Sequence, residues 1–244
     1  MSNTLLSTTR PSTTPPLFEA RPFSDRCRAV WDRGDHLLIG VSPGNSYFSH
    51  RRITELLLWS RQSFDAVDIV YADLHVDAQF TVCGYPAEHA LRRADKEVKA
   101  TRRRVRRGVE ESGRSGVGIH ALSEFGTAPA YLRLRRAVQD ALETDQLLRD
   151  AAESMARSFL AARLPGDGAP SSAQLAAGVA YITAELPFFL DTPSLLGVPS
   201  SVSCYHAELP LTPVLFGRDE GLRAVAGQAY AVVRPHLGPQ TDAA

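Results

Sequence analysis

Ser42 lies between Gly40 and Gly44 in the run His36-Leu-Leu-Ile-Gly-Val-Ser-Pro-Gly-Asn-Ser-Tyr-Phe-Ser49, which passes from apolar to turn-forming residues. Two readings fit a serine in that place. The Gly40-x-Ser42-x-Gly44 spacing is that of a hydrolase nucleophile, where a strand ends in a sharp turn that exposes the hydroxyl. The same residues also start a helix without chemistry: Pro and Gly form the turn, and Asn or Ser caps it. A lone match of this kind does not separate them.

Further polar groups with chemical potential stand elsewhere. Tyr181 and Glu185 are four residues apart, so on a helix they share one face, here otherwise Ala, Leu, Ile and Val. A carboxylate on that face is either a solvated group or the holder of a cation, because burying it unpaired is costly. Tyr205 and His206 close the segment Pro199-Ser-Ser-Val-Ser-Cys204, either as a buried Tyr with a satisfied loop His or as groups that handle protons. Asp73, His75 and Asp77 alternate like metal ligands, but no further ligand cluster accompanies them and no metal is expected.

Charge is concentrated in one place although the net charge is zero. Between Arg92 and Arg107 stand nine Arg or Lys residues against only Asp95 and Glu97. At about 100° per residue, Arg92, Lys96, Lys99, Arg103, Arg106 and Arg107 fall in one arc, with Leu91, Ala94, Val98, Val105 and Val109 nearly opposite. A solvated charged surface normally carries acids at i+4; their scarcity here favours a phosphate-backbone partner. A helix of ~25 Å tracks several phosphates, and about four contacts would weaken binding on the order of a hundredfold between 50 and 200 mM salt. Such contacts carry no base information.

The elements that must position these groups alternate along the chain. Strands are expected at Leu37–Val41, Ala66–Ala72, Gly118–Leu122 and Tyr230–Val233. Helices are expected at Thr54–Arg61, over the basic run, from about Pro129 to Ala162 with a break near Glu143, from Ser172 to about Leu186 ending near Pro187, and at about Asp219–Gln228. This alternation predicts an α/β fold, a mostly parallel sheet with helices on both faces. The 244 residues, 44% hydrophobic, suffice for one large domain from about 25 to 237. The Ser/Thr/Pro-rich residues 1 to about 24 and residues 238–244 read as tails, and Leu164–Pro170 as a loop. No apolar run approaches the ~18 residues that span a bilayer, and no secretory leader is recognisable. Cys27, Cys83 and Cys204 follow no metal or disulfide spacing, which with the rest predicts a cytoplasmic chain.

Taken together, Gly40-Val-Ser-Pro-Gly-Asn-Ser-Tyr-Phe-Ser49, Ile69-Val-Tyr-Ala-Asp-Leu-His-Val-Asp77, the basic helix, Tyr181-x-x-x-Glu185 and Pro199-Ser-Ser-Val-Ser-Cys-Tyr-His206 resemble the cyclodipeptide synthases in order and spacing, from about His36 to Pro235. Asn45, Tyr205 and His206 match the subgroup named for those three residue types. The resemblance implies a Rossmann-like domain similar to the catalytic domain of class I tyrosyl- and tryptophanyl-tRNA synthetases, without their ATP-binding signatures. None of those signatures is found in this sequence, nor a P-loop. It also implies two aminoacyl-tRNAs as substrates, no cofactor, and a cyclic dipeptide made through an aminoacyl and then a dipeptidyl ester on a serine.

Carried over by the resemblance, Ser42 is the nucleophile, while Glu185 holds the amine and Tyr181 hydrogen-bonds it. Tyr205 positions the acyl group and relays a proton, Asn45 orients the aminoacyl group, and His206 supports the site. Leu38, Gly40, Val70, Leu122, Met155, Phe188 and Ser203 would line the pocket for the first side chain. Ser203 departs from the apolar residue expected there. Pro43, in place of a small residue, predicts a stiffer turn. Arg92, Lys96, Lys99, Arg102, Arg103, Arg106 and Arg107 would take the tRNA acceptor arm. A monomer or weak dimer, and a downstream enzyme that tailors the product, complete the expectation.

Two other classes stand beside this one. A serine hydrolase would pair Ser42 with His206 or His236 and an acid between, but no His-Gly-Gly oxyanion loop is present and about forty residues precede the serine. A non-catalytic tRNA-binding protein would use Ser42 as a cap only. No Asp-His relay for Ser42 is legible.

Overall fold

The computed structural model describes residues 17–161 and 169–236. The expected tails at residues 1–16 and 238–244, and residues 164–168 of the expected loop, lie outside the described residues. The elements run β1 (Phe18–Pro22), α1 (Asp25–Trp31), β2 (His36–Val41), α2 (His50–Ser60), β3 (Ala66–Tyr71), α3 (Val76–Val82), α4 (Ala87–Ser112), β4 (Gly118–Ala121), α5 (Pro129–Thr144), α6 (Gln146–Ala161), α7 (Ser172–Leu196), β5 (Ser201–Tyr205), α8 (Thr212–Phe216) and β6 (Gln228–Pro235).

One six-stranded sheet has the order β1-β6-β5-β2-β3-β4. All pairings are parallel except β1 with β6. From β2 the chain winds outward through β3 and β4, then returns to β5 on the other side of β2. Right-handed crossovers therefore place the helices of the two halves on opposite faces. The reversal leaves a crevice beyond the carboxyl ends of β2 and β5, where ligands bind in open α/β sheets.

Each of these two strands is buried on both faces, as a central parallel strand must be. Leu37 and Ile39 face one way, Leu38 the other, and all three are buried. Leu38 pairs with Ser203 in register. With Val70, Leu122, Tyr131, Ala184 and Phe188 it forms a small core separate from the main one.

The basic segment is one helix of 26 residues. It packs on α2 so closely at Gly108 that a Cβ there would meet Ile53 at 2.7 Å. Ala94 and Val105 are buried on that side, whereas Leu91, expected on it, is 57% exposed.

Several expectations are corrected. Residues 18–22 are not tail: they pair as an edge strand with β6. The break near Glu143 falls at Asp145, whose side chain accepts from the Leu148 N–H and pairs with Arg218. α7 runs through Pro187 and bends only at Asp191 (φ −158°, ψ 62°). An internal proline costs about 3 kcal/mol, but Leu186, Phe188 and Leu190 are buried around it, and that burial offsets the cost. No helix forms at 219–228: the segment is irregular, with Gly221 at φ +74°, and the short α8 precedes it. α1 and α3, each seven residues, are additional to the expected helices. α7 is also long and apolar enough to cross a membrane by length and composition, with half of its apolar window buried inside the protein.

Candidate active site

The chain leaves β2 at Val41 into a turn closed by the Asn45 N–H donating to Ser42 O at 3.3 Å. Pro43 occupies the second position and Gly44, at φ +73°, the third. This is the residue order of a type II turn, which Pro pre-sets and Gly completes at no steric cost. Ser42 is thus held at the carboxyl end of β2, beside Tyr205 at the end of β5.

Asn45 fixes that neighbour. Its Oδ1 accepts from the Tyr47 N–H at 3.0 Å, so its Nδ2 is the group that donates to the Tyr205 hydroxyl, also at 3.0 Å. Tyr205 accepts that bond and keeps its own hydrogen for another partner. Burial is the main force pushing the Tyr205 phenol up; the nearby Glu185 charge adds to it, and the Asn45 bond opposes it. His206 stands behind this group, its ring between Tyr47 at 4.1 Å and Tyr205 at 4.2 Å. Burial and Arg234 hold its pKa below the usual histidine value.

Tyr181 and Glu185 lie one turn apart on α7, as the spacing requires. The Glu185 carboxyl is pushed up to about 7 by burial, against which a hydrogen bond from Tyr181 acts. Its Oε1 is buried with no hydrogen-bond partner among the described residues. A buried acceptor left open by protein groups suits a cationic ligand.

Two cavities meet at this point. The larger, about 810 Å³, opens outward and includes Ser42, Asn45, Tyr181, Glu185 and Tyr205 in its wall. The narrower, about 70 Å³, runs down between the sheet and α7. Ser42, Met155, Glu185, Tyr205 and Leu209 border both. All seven residues expected to surround the first side chain line the narrow one: Leu38, Gly40, Val70, Leu122, Met155, Phe188 and Ser203. A Cβ on Gly40 would touch nothing within 4 Å, so the absent side chain is what keeps this space open.

Ser203 is the polar point in that wall. The buried Gln228 amide donates to its Oγ at 3.0 Å and to Ala229 O at 3.1 Å, while the Gln228 Oε1 accepts from the Thr192 N–H at 3.0 Å. Ser203 therefore accepts from the protein, and its own hydrogen has no acceptor given by these bonds. Sequence reasoning misses Gln228, which lies 25 residues away and carries no local signal. It also misses Tyr47, within the serine motif itself, and Arg104, which donates to Asn45 O at 3.4 Å and so ties α4 to the serine turn.

The basic face is partly self-neutralised, contrary to the expected scarcity of acids at i+4. Arg92 pairs with Glu88, Lys99 with Asp95 at 2.7 Å, and Arg107 with Glu111 at 2.7 Å. Two of these acids lie just outside the Arg92–Arg107 window. Lys96, Arg102, Arg103 and Arg106 are not buried and make no ion pair among the described residues.

The alternative relays are not assembled. Neither His206 nor His236 borders a cavity that holds Ser42. Asp73 is engaged by the Ser123 N–H at 2.8 Å and hydroxyl at 2.5 Å.

Known proteins share this fold and much of this sequence. A family described as cyclodipeptide synthase matches residues 18–235. The cyclo(L-leucyl-L-phenylalanyl) synthase of Streptomyces noursei is 43% identical over 216 residues, 87% of this chain and 90% of that protein. The cyclo(L-tyrosyl-L-tyrosyl) synthase of Mycobacterium tuberculosis is 40% identical over 225 residues, 91% of this chain and 78% of that protein. A solved M. tuberculosis structure, described as demonstrating that cyclodipeptide synthetases are related to type I tRNA synthetases, superposes with a TM-score of 0.81 at 40% identity. The match covers 91% of this chain and 95% of that one.

Proposed function

The chain belongs to the cyclodipeptide synthase family, and from that premise we propose that it joins two aminoacyl-tRNAs into a cyclic dipeptide through successive esters on Ser42. The observation that carries this reading is the meeting of Ser42, Tyr205 and a partly unpartnered Glu185 where a wide and a narrow cavity join.

In the first step the Ser42 Oγ attacks the ester carbonyl of one aminoacyl-tRNA. The serine–acyl bond forms, the ribose–acyl bond breaks, and the serine proton leaves with the ribose oxygen. The side chain of this residue enters the narrow cavity, and its ammonium meets Glu185. There the position of the Glu185 pKa matters: a carboxyl near 7 binds an ammonium as the anion and takes its proton at neutral pH. The freed amine then attacks the ester of a second aminoacyl-tRNA: the peptide bond forms, the second ribose–acyl bond breaks, and the amine's proton leaves with the ribose oxygen of the released tRNA. Finally the new terminal amine attacks the serine ester, the ring closes, and the proton returned to Ser42 passes through the Tyr205 hydroxyl, whose hydrogen the Asn45 bond leaves available. Every acceptor of an acyl group after Ser42 is an amine.

Lys96, Arg102, Arg103 and Arg106, with the ion-paired Arg92, Lys99 and Arg107 at the same surface, take the tRNA backbone. A hydrolase reading has no histidine at Ser42 to support it, and a purely binding role leaves the Glu185 pocket without purpose. Incubation with two charged tRNAs tests the proposal: mass spectrometry should detect a diketopiperazine with the wild-type protein and none with Ser42→Ala. Free amino acids as the only products would instead indicate hydrolysis.

A further inference from the structure

The wall of the wide cavity between α4 and Ser42 carries a group of side chains that the reaction above does not use. Phe80, near the end of α3, and Tyr85, in the turn leading to α4, meet edge to face at 5.6 Å. Arg93 lies over both rings, 5.3 Å from each centroid. All three border the cavity that holds Ser42. The turn that carries Tyr85 is fixed by its N–H donating to Phe80 O at 3.1 Å and by Gln174 donating to Val82 O at 3.0 Å. Tyr85 is nevertheless 37% exposed.

The two ring planes stand 75° apart, so a base stacks on one of them, the exposed Tyr85, while Phe80 at its edge and the Arg93 guanidinium hold that ring in place. Nucleobases stack on such rings, and on Arg planes, without regard to sequence. The neighbours exclude the simpler reading as a phosphate site: Glu97 and Glu208 border the same cavity, and carboxylates repel phosphate while tolerating a neutral base. The location adds a geometric requirement. If the tRNA backbone lies on the outer face of α4 and its amino acid reaches Ser42, the unpaired 3′ end must cross the surface between them. At about 810 Å³ the cavity is of a size that holds a nucleoside with its acyl group.

Resting on the aminoacyl-tRNA reading, we propose that Phe80, Tyr85 and Arg93 form a stacking platform for an unpaired nucleobase at the 3′ end of the aminoacyl-tRNA. The platform binds a base of the donor away from the reacting ester, so its loss affects capture of the tRNA rather than the chemistry of the serine.

The test is the rate at which one charged tRNA places its aminoacyl group on the protein, followed by intact mass as tRNA concentration is raised. Tyr85→Ala and Tyr85→Leu should each raise the half-saturating concentration on the order of tenfold, the loss of one stacked base. The rate at saturation should be unchanged, and Tyr85→Phe should match wild type. Melting temperatures of the variants establish that the fold is intact. Unaltered half-saturation in Tyr85→Leu overturns the platform. So does a changed choice of second amino acid without a change in the first step, which would make this wall a side-chain pocket. If the wild-type protein gains no mass from charged tRNA, the underlying function fails and the platform falls with it, an outcome visible before any variant is compared.

Discussion

Two largely buried carboxylates face the same side of the sheet and have been driven in opposite directions. Asp68, on β3, lies between His36 Nε2 at 3.2 Å and His120 Nε2 at 3.6 Å, and His36 Nδ1 is in turn bonded to Ser201 Oγ at 2.8 Å. Burial alone would raise its pKa; the hydrogen bonds from His120 and His36 outweigh that and hold it well below the usual carboxylate range. Glu185, on α7, has Tyr181 and an open oxygen, and burial lifts it to about 7. The difference separates architecture from chemistry. A carboxylate whose partners are supplied by neighbouring strands ties the sheet together; one left short of partners beside a cavity is open to a ligand, the role proposed for Glu185.

Replacing the reserved carboxylate should have the largest effect. Glu185→Gln is expected to lower product formation by at least about a hundredfold, the usual contribution of a positioned acid or base, and to leave the protein more stable at pH 8. The sign follows from linkage. Because the folded pKa is raised, the folded state keeps a proton the unfolded state has lost, and stability falls as pH rises from about 4.5 to about 7. A shift of that size corresponds to about 3 kcal/mol at most. Denaturant unfolding of both proteins between pH 5 and 8 checks this, and a variant that is less stable at pH 8 would erase the contrast.

Asp68→Asn should show the reverse pattern: stability lower by about 1–3 kcal/mol at neutral pH, with activity per folded molecule retained. Asp68 has a depressed folded pKa, so its contribution is present above the ordinary aspartate value and disappears as pH falls through the lowered one. Stability loss that does not shrink in acid would place the cause elsewhere.

On the outer surface, Arg103→Ala with Arg106→Ala should weaken tRNA binding and reduce the magnitude of its salt slope by about one unit per lost contact. Arg92→Ala should change it less, since Arg92 is already paired with Glu88. Equal effects would remove the distinction between paired and unpaired cations on α4.

The smallest effect on total activity is expected inside the narrow cavity. Ser203→Leu should redistribute the first amino acid of the product by about tenfold or more toward apolar side chains, without lowering total turnover, because a hydrophobic fill discriminates by only ~1–3 kcal/mol. An unchanged product mixture, measured by mass spectrometry, would mean that Ser203 does not face the bound side chain.

Much of this arrangement is legible in the sequence. Strands β2 and β3 announce themselves as continuous apolar runs, and the Pro43-Gly44 pair marks the turn that ends the first. Spacing alone puts Tyr181 and Glu185 on one face. What cannot be read there is supplied by distant parts of the chain. Pro187 resembles a helix terminus because the burial that carries α7 through it comes from other elements. β1 resembles a tail because its hydrogen bonds belong to β6. The Glu88 and Glu111 partners of α4 lie just beyond the Arg92–Arg107 run in which its cations crowd. Gln228 meets Ser203 only because β5 and β6 are neighbours. The displacement of the Glu185 pKa, finally, depends on the buried surroundings of α7 and not on the residues next to it.

Ser42 as an acyl carrier is the claim on which all the other roles depend. Intact-mass measurement after incubation with one charged tRNA, with the site located by peptide mapping, should show a single aminoacyl group on Ser42 of the wild-type protein and no adduct on Ser42→Ala. An adduct of equal size on Ser42→Ala would contradict it.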